Sequence, residues 1–483
     1  MVHNLPVSLN SFVGRARERS QVSELLRCSR LVTLAGVPGV GKTRLALEVA
    51  SELVDRHHDG AWLVELASIT NPDLAPHAVA AALGIDERRG AALTDGIVDE
   101  LADRRLLLVL DNCEHLLSGT TRLAGTLLRS CPGLTILATS REPLGIDGEL
   151  VWRVQPLEVP MSGEPFLRYG LDYSAVRLFV ERAANRRPGF RLTTEDSPAV
   201  IEICNRLDGI PLAIELAAAR TDVLSPDEIL QHLDHPLRLL DTRNRSEPSV
   251  HKTLKATLDW SFLRLLPAEA TLIGRLSVFA GSWKLEAAEA VCSGGKIPTE
   301  AVLGLVDALV RKSLVTADFG GLETRYRLLG IIRAHAGRWL DDPAERTRVS
   351  DAHCRWYLSQ AETADQGHGE VLGRLDPERD NLGAAFEWAL AQANPDSALQ
   401  LSSSLVSFWE ARGELEKGRS WLTRALAVRA VGSPRLRARA LWGAGLLASL
   451  AGDDATAVPL AEQSLALARE QEDLCIARRR LSR

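Results

Sequence analysis

The sequence predicts a multidomain α/β plus α chain: a parallel sheet built around a phosphate-binding loop, then amphipathic helices, a mixed helical and β-like region that a winged helix accounts for, and C-terminal α-helical repeats. Three observations predict it. Residues 31–43 read as an apolar run, a glycine loop and Lys42-Thr43 at the mouth of an apparent helix over Arg44 to Leu53. A second apolar run, Arg105 to Asp111, ends in a carboxylate, as a buried strand of a parallel sheet does at its ligand edge. Beyond residue 350 the apolar residues recur almost purely at helical spacing.

The first element is strand, phosphate loop and helix, the order a P-loop NTPase requires. Gly36, Gly39 and Gly41, with Val40 between the last two, let the backbone wrap a polyphosphate and turn its N–H groups inward. Lys42 can reach the β- and γ-phosphates, the Thr43 hydroxyl can ligate Mg²⁺, and the helix N-terminus favours an anion. The motif implies a purine nucleoside triphosphate or its diphosphate, ATP/ADP, with Mg²⁺.

Asp111 closes the second strand, where it can hold Mg²⁺ through water or act as an N-cap for the following helix; the two roles are compatible. The residue after it is Asn112, so the usual adjacent acid is absent. Glu114 is the nearest carboxylate: it can activate water, or it can sit in a first helical turn and satisfy the dipole. Slow hydrolysis fits this arrangement better than fast turnover. A third strand, Leu134 to Thr139, leads into Ser140-Arg141-Glu142 on the same edge. Arg141 is therefore a candidate γ-phosphate sensor, with an ordinary surface arginine as the alternative.

A length of 483 residues suggests roughly three or four domains, and 46% hydrophobic residues lets each bury a core. The net charge of −6, with both signs interspersed, argues against a surface adapted throughout to nucleic acid. The cysteines at 28, 113, 131, 204, 292, 354 and 475 are isolated, so neither a disulfide framework nor a structural zinc site is expected. His57-His58-Asp59 lacks a second ligand pair and reads as a solvated turn. The N-terminus shows no signal peptide and no apolar stretch approaches ~20 residues, so a cytoplasmic protein without membrane contact is expected.

Amphipathic helices are expected from Tyr173 to about Leu240, beginning with one over Ala175–Ala184 that the breaker Arg187-Pro-Gly189 ends. Residues 250–345 mix short helices with a β-like pair around Leu314–Thr316 and Tyr326–Leu328, as a winged helix does. Further on, helices are expected over 396–411, 415–428, 435–450 and 455–469, with Gly413 and Gly452 placed 39 residues apart between the members of each pair. Such pairs stack into a concave surface suited to capturing a protein or ligand. The basic end, Ala477 to Arg483, reads as a solvated terminus.

Together, Asn10 to Glu18, Gly36 to Leu45, Leu107 to Leu116, Ala138 to Leu144 and Arg206 to Arg220 resemble the STAND class of signal-transduction NTPases. Within it the chain is similar to large bacterial ATP-binding transcriptional regulators of the LuxR and antibiotic-regulator type. Thr253 to Phe262, Arg275 to Ala280, Leu305 to Val315, Arg325 to Leu329 and Glu378 to Leu382 continue the series in the family's order. The resemblance implies a P-loop NTPase over 1–160, a lid over 161–245, a winged helix over 246–345 and tetratricopeptide-like repeats over 346–483. It implies that Gly36, Gly39, Val40, Gly41, Lys42, Thr43 and Arg44 cradle the nucleotide. It places Val13, Gly14 and Arg15 at the adenine end, joined by Pro211, which also serves as a rigid opening residue for its helix. In related STAND proteins a histidine at the end of the winged helix touches the diphosphate. Here Leu329 stands at that position and Gly330 replaces an acid, so no histidine lock is expected, and His335 reads as an ordinary helix residue.

The resemblance implies a regulatory switch in bacterial transcription, with ATP/ADP exchange controlling self-association or partner binding through the repeats. In that picture the winged helix is a hinge and DNA is reached only indirectly, through an effector on a partner or outside this sequence. Two alternatives stand beside it: a nucleotide-binding scaffold that does not switch, and a repressor that binds DNA through the winged helix.

Overall fold

The computed structural model describes residues 3–7, 10–67, 69, 71–85, 93–160, 170–233, 254–320, 323–366, 369–392, 395–428 and 433–470. The expected end of the lid, the expected start of the winged helix and the basic terminus lie outside these. The described residues form two compact units. The first runs to Leu265 and also holds Ala308–Leu314 and Leu329–His335; the second holds Leu266–Asp307, Val315–Leu328 and the chain from Ala336.

The first unit contains, in order, α1 (Ala16–Cys28), β1 (Leu31–Ala35), α2 (Lys42–Leu53), β2 (Ala61–Glu65), α3 (Ala75–Leu83), α4 (Leu93–Leu101), β3 (Leu107–Asp111), α5 (Leu117–Ser130), β4 (Thr135–Ser140), β5 (Leu150–Arg153), α6 (Ser174–Arg186), α7 (Ser197–Arg206), α8 (Pro211–Ala218), α9 (Pro226–His232) and α10 (Leu254–Leu263). Its five strands are parallel in the order β2-β3-β4-β1-β5. The apolar runs of β1 and β3 are continuous because both faces of the sheet are covered. Leu31, Leu108, Leu110 and Ile136 pack with α3, α4 and α5, while Val32, Leu34, Leu107, Val109 and Leu137 are buried too. Burying each such side chain contributes about 1.5–3 kcal/mol. The Asn4 side chain bonds both the N–H and the carbonyl of Leu63, so the edge at β2 is partly covered.

As expected, the Asp111 end of β3 lies beside the phosphate loop, where Thr43 meets it. β4 lies between β1 and β3, pairing Leu34 with Thr139 and Leu110 with Ala138. That insertion puts Thr139 beside Asp111, on the same carboxylate oxygen that Thr43 reaches.

After the sheet come short helices, where the lid was expected. α6 buries Ala175, Val176, Leu178, Phe179 and Ala183, and it ends at the Arg187-Pro-Gly189 breaker, where Gly189 has φ 88°. α9 opens with a reciprocal cap: Ser225 Oγ accepts from Glu228 N–H at 3.3 Å, and Glu228 Oε2 accepts from Ser225 N–H at 2.8 Å.

The second unit is mainly helical. A two-stranded antiparallel pair, Thr316–Asp318 with Arg325–Arg327, is extended by mutual backbone bonds between Trp283 and Tyr326 at 2.8 Å. The strands are shifted by two residues and by one from the expected positions, so Leu314, Val315 and Leu328 are buried outside them. Helices Pro395–Ser404, Val406–Arg412, Leu415–Leu426, Pro434–Leu450 and Asp454–Glu470 follow, so the single helix expected over 396–411 is broken at Leu405. Gly413 (φ 68°) and Gly452 (φ 77°) turn the chain between helices in the left-handed region. Asn381, fully buried, accepts from the N–H groups of Ala280 and Gly281 at 2.9 and 3.2 Å and donates to the Ser282 carbonyl at 2.8 Å.

Beside this knot His353 is buried against Phe279 and Tyr357, and burial pushes its imidazole down to about 4. The unfolded chain takes up that proton near 6.5 and the folded chain only near 4, so stability falls as pH drops through this window. Urea unfolding of this unit should show a loss of about 2 kcal/mol from pH 7 to pH 5. An isosteric apolar variant, His353→Phe, should flatten that slope; an unchanged slope would contradict the assignment.

Candidate nucleotide site

The loop after β1 supplies the centre. Gly39 (φ 77°) and Gly41 (φ 93°) adopt left-handed conformations, and Gly41 is the N-cap of α2. A Cβ at Gly39 would come within 2.9 Å of Leu212 Cβ, and Leu212 N–H donates to the Gly39 carbonyl at 3.2 Å. The first turn of α8 therefore rests on the loop, with the Pro211 ring beside Gly41. Val40 is fully buried. Lys42 Nζ donates to the Gly36 and Val37 carbonyls at 2.8 and 3.3 Å. Burial pushes its ammonium down to about 8; Glu114 and Asp111 oppose that shift, and Arg141 adds to it.

Thr43 and Asp111 meet directly: Thr43 Oγ1 donates to Asp111 Oδ1 at 2.6 Å. Thr139 Oγ1 donates to the same oxygen at 2.5 Å and accepts from Asn112 N–H at 3.0 Å. Asn112 Nδ2 donates to Asp111 Oδ2 at 2.8 Å. Burial raises the Asp111 carboxyl, and the two threonine hydroxyls pull it back. The carboxylate thus faces the loop and does not cap the next helix, whose N-cap is Leu116. Hard oxygen donors on a buried acid fit a Mg²⁺ ion completed by phosphates and water. Among the described residues no group of three or more His, Cys, Asp or Glu side chains could hold a metal by itself.

Glu114 lies in a one-turn 3₁₀ segment, Cys113–His115, and is buried. Its Oε1 accepts from Arg141 Nε at 3.0 Å; its Oε2 is buried without a partner. Arg141 is only 9% exposed, so it is not a surface arginine. Its Nη1 donates to Ser261 Oγ, its carbonyl accepts from Ser313 Oγ, and Arg264 Nη1 donates to the Glu114 carbonyl at 2.9 Å. Burial lowers the Arg141 guanidinium and Glu114 raises it.

Val13 and Gly14 lead into α1. Gly14 has φ 72°, and a Cβ there would meet Ser174 Cβ at 2.8 Å. Arg15, buried and left-handed, donates from Nη2 to the Val40 and Gln155 carbonyls, both at 2.8 Å, which ties this segment to the loop. Its Nη1 is buried without a partner. The Arg44 guanidinium points to the Asn10 and Ser11 carbonyls at 2.9 Å and so braces the N-terminal segment. Leu329 is buried, and Gly330 N–H donates to Asp208 Oδ2 at the start of the helix Gly330–Ala336. His335 packs edge-on to Phe262 with its ring facing Asp259.

An AAA domain model matches residues 27–142, and a winged helix-turn-helix domain model matches residues 265–341. A Mycobacterium tuberculosis protein named "Putative HTH-type transcriptional regulator Rv0890c" is 41% identical over 464 residues, 93% of this chain and 51% of the relative. The "Regulatory protein AfsR" of Streptomyces griseus is 27% identical over 522 residues, 97% of this chain and 50% of its own length. An uncharacterized M. tuberculosis protein is 41% identical over 359 residues, 74% of this chain and 88% of that protein. The chain belongs to the family of this last protein, and it is similar to larger, ATPase-containing proteins named as transcriptional regulators. It spans about half the length of the named regulators it matches.

Sequence reasoning missed Thr139, Asp208, Ser261, Arg264 and Ser313. Thr139 could have been found from its place at the end of a strand beside Ser140-Arg141. The others act from 120 or more residues away, and no local pattern marks them.

Proposed function

We propose that this chain is the nucleotide-controlled part of a transcriptional regulator, in which exchange of ADP for ATP changes self-association or partner binding. The observation that carries the reading is the convergence of Lys42, Thr43, Asp111, Glu114 and Arg141 at one edge of a parallel sheet. The expected domains, 1–160, 161–245, 246–345 and 346–483, supply the ATPase, lid, winged helix and receiving repeats of the proposal. The cradle of Gly36, Gly39, Val40, Gly41, Lys42, Thr43 and Arg44 binds the phosphates. Val13, Gly14, Arg15 and Pro211 bound the adenine end. Mg²⁺, held through Thr43 and Asp111, supplies charge neutralisation on the phosphates when bound.

Slow hydrolysis follows from the same residues. A water oxygen bonds to the γ-phosphorus and the bond to the β,γ-bridging oxygen breaks. ADP leaves with that electron pair, and Glu114 receives the water's proton. Arg141 distinguishes triphosphate from diphosphate once its guanidinium faces the γ-phosphate. Direct DNA reading by the winged helix is less well supported, because the helix Val302–Arg311 exposes Leu303, Gly304 and Asp307 and a single arginine, Arg311. DNA is then reached through another part of the regulator or a partner.

Calorimetric titration with Mg²⁺–ATP and Mg²⁺–ADP tests the reading. Both should bind, and Arg141→Ala should lower the ATP-to-ADP affinity ratio about tenfold. No binding of either nucleotide would end the proposal, and an unaltered ratio would remove Arg141 as the discriminator.

A further inference from the structure

We infer that the Glu114–Arg141 ion pair is a latch, held shut by residues 254–265 and 308–314, that sets the rate of ATP hydrolysis. The inference rests on the nucleotide reading above. Both partners are buried, at 5% and 9% exposure, yet the pairing is one-sided, with Nε on Oε1 at 3.0 Å. Glu114 Oε2 has no hydrogen-bond partner although it is buried, a costly state for a carboxylate oxygen in a purely structural pair. Lys42 and Asp111 are its electrostatic neighbours, so the unmatched oxygen belongs to the nucleotide edge of the sheet.

The pair is gripped by groups remote in sequence. Ser261 Oγ accepts a hydrogen bond from Arg141 Nη1 from 120 residues away, and Ser313, 172 residues away, donates to the Arg141 carbonyl. Arg264, 150 residues from Glu114, donates to its carbonyl. Ser313 does so from a left-handed backbone conformation (φ 54°), which a non-glycine residue adopts only under constraint. Each grip fixes the backbone or the guanidinium, and none of them competes for Glu114 Oε1.

The chemical consequence is mutual withholding. While Arg141 neutralises Glu114, the carboxylate is a poor acceptor for water's proton and the guanidinium is turned from the γ-phosphate. Moving residues 254–265 and 308–314 frees both groups at once. By linkage, a γ-phosphate that draws Arg141 from Glu114 loosens those segments in return.

Single-turnover hydrolysis of Mg²⁺–ATP tests the latch in the full chain, comparing wild type with an Arg264→Ala/Ser313→Gly double variant. Glycine relieves the left-handed backbone while removing the hydroxyl. The inference expects hydrolysis about tenfold faster, with ADP affinity within about twofold of wild type. A generally loosened fold would weaken ADP binding as well, so the preserved ADP affinity separates it from the latch. Arg264→Ala alone, on an exposed side chain, carries the same sign if the double variant unfolds. Unchanged or slower hydrolysis in a variant that still binds nucleotide overturns the latch and leaves the nucleotide reading intact. Wild-type protein that binds no nucleotide places the failure in the nucleotide reading.

Discussion

Lys42→Ala is expected to weaken Mg²⁺–ATP binding by at least about 100-fold, because it removes the one ammonium the loop directs at the phosphates. The effect should be large because Lys42 is only 8% exposed, where a charge interaction is poorly screened. Its environment also fixes a pH dependence. Burial lowers the free protein's ammonium to about 8, whereas bound phosphates favour the charged form. Below pH 8 the lysine is already protonated and affinity should be flat. Above it, binding must first recover a proton, so affinity should fall by up to about tenfold per pH unit. Calorimetry in buffers of different ionisation enthalpy would register that proton uptake at pH 9 and none at pH 7. Lys42→Arg should not rescue binding, since a planar fork cannot replace a compact point charge between the Gly36 and Val37 carbonyls. Wild-type affinity in Lys42→Ala would remove the loop from the account.

Gly209→Ala should be the most destabilising single-methyl addition in the first unit. Gly209 has φ 64°, and a Cβ there would lie 2.1 Å from the Leu157 carbonyl oxygen, a backbone atom that cannot swing aside. The same glycine carbonyl accepts from Leu157 N–H at 2.9 Å, so relief of the clash breaks a backbone bond. Two residues on, Pro211 and Leu212 lie against the phosphate loop, and the disturbance therefore reaches the site. A loss of about 3 kcal/mol or more is expected, with weakened nucleotide binding. Gly84→Ala is the control: its φ is 69°, but nothing lies within 4 Å of its added methyl, so only about 1 kcal/mol should be lost. Equal urea midpoints for the two variants would contradict the clamp.

What the sequence made legible was local. The glycine loop, Lys42-Thr43 and the apolar run into Asp111 carry their chemistry within a few residues, and they converge in three dimensions. Gly413 and Gly452 marked helix ends because a left-handed residue is needed there whatever the tertiary context. Strand order was not legible: nothing in Leu134 to Thr139 says that β4 enters between β1 and β3. That placement turns Thr139 into a partner of Asp111 and draws Arg141 toward Glu114. Nor could periodicity place Ser261, Arg264 and Ser313 around that pair, since their contacts are set by how distant helices pack. The same holds for Asp208, whose carboxylate meets Gly330 across 122 residues.

The central claim is that the bound nucleotide decides how this chain associates. Molecular mass in solution, by light scattering with Mg²⁺–ADP and with Mg²⁺–ATP for wild type and Lys42→Ala, tests it most directly. The account predicts a larger assembly with ATP than with ADP in the wild type and no difference in the variant. One unchanged mass in both states, despite tight binding of both nucleotides, would contradict the switch and leave a nucleotide-stabilised scaffold.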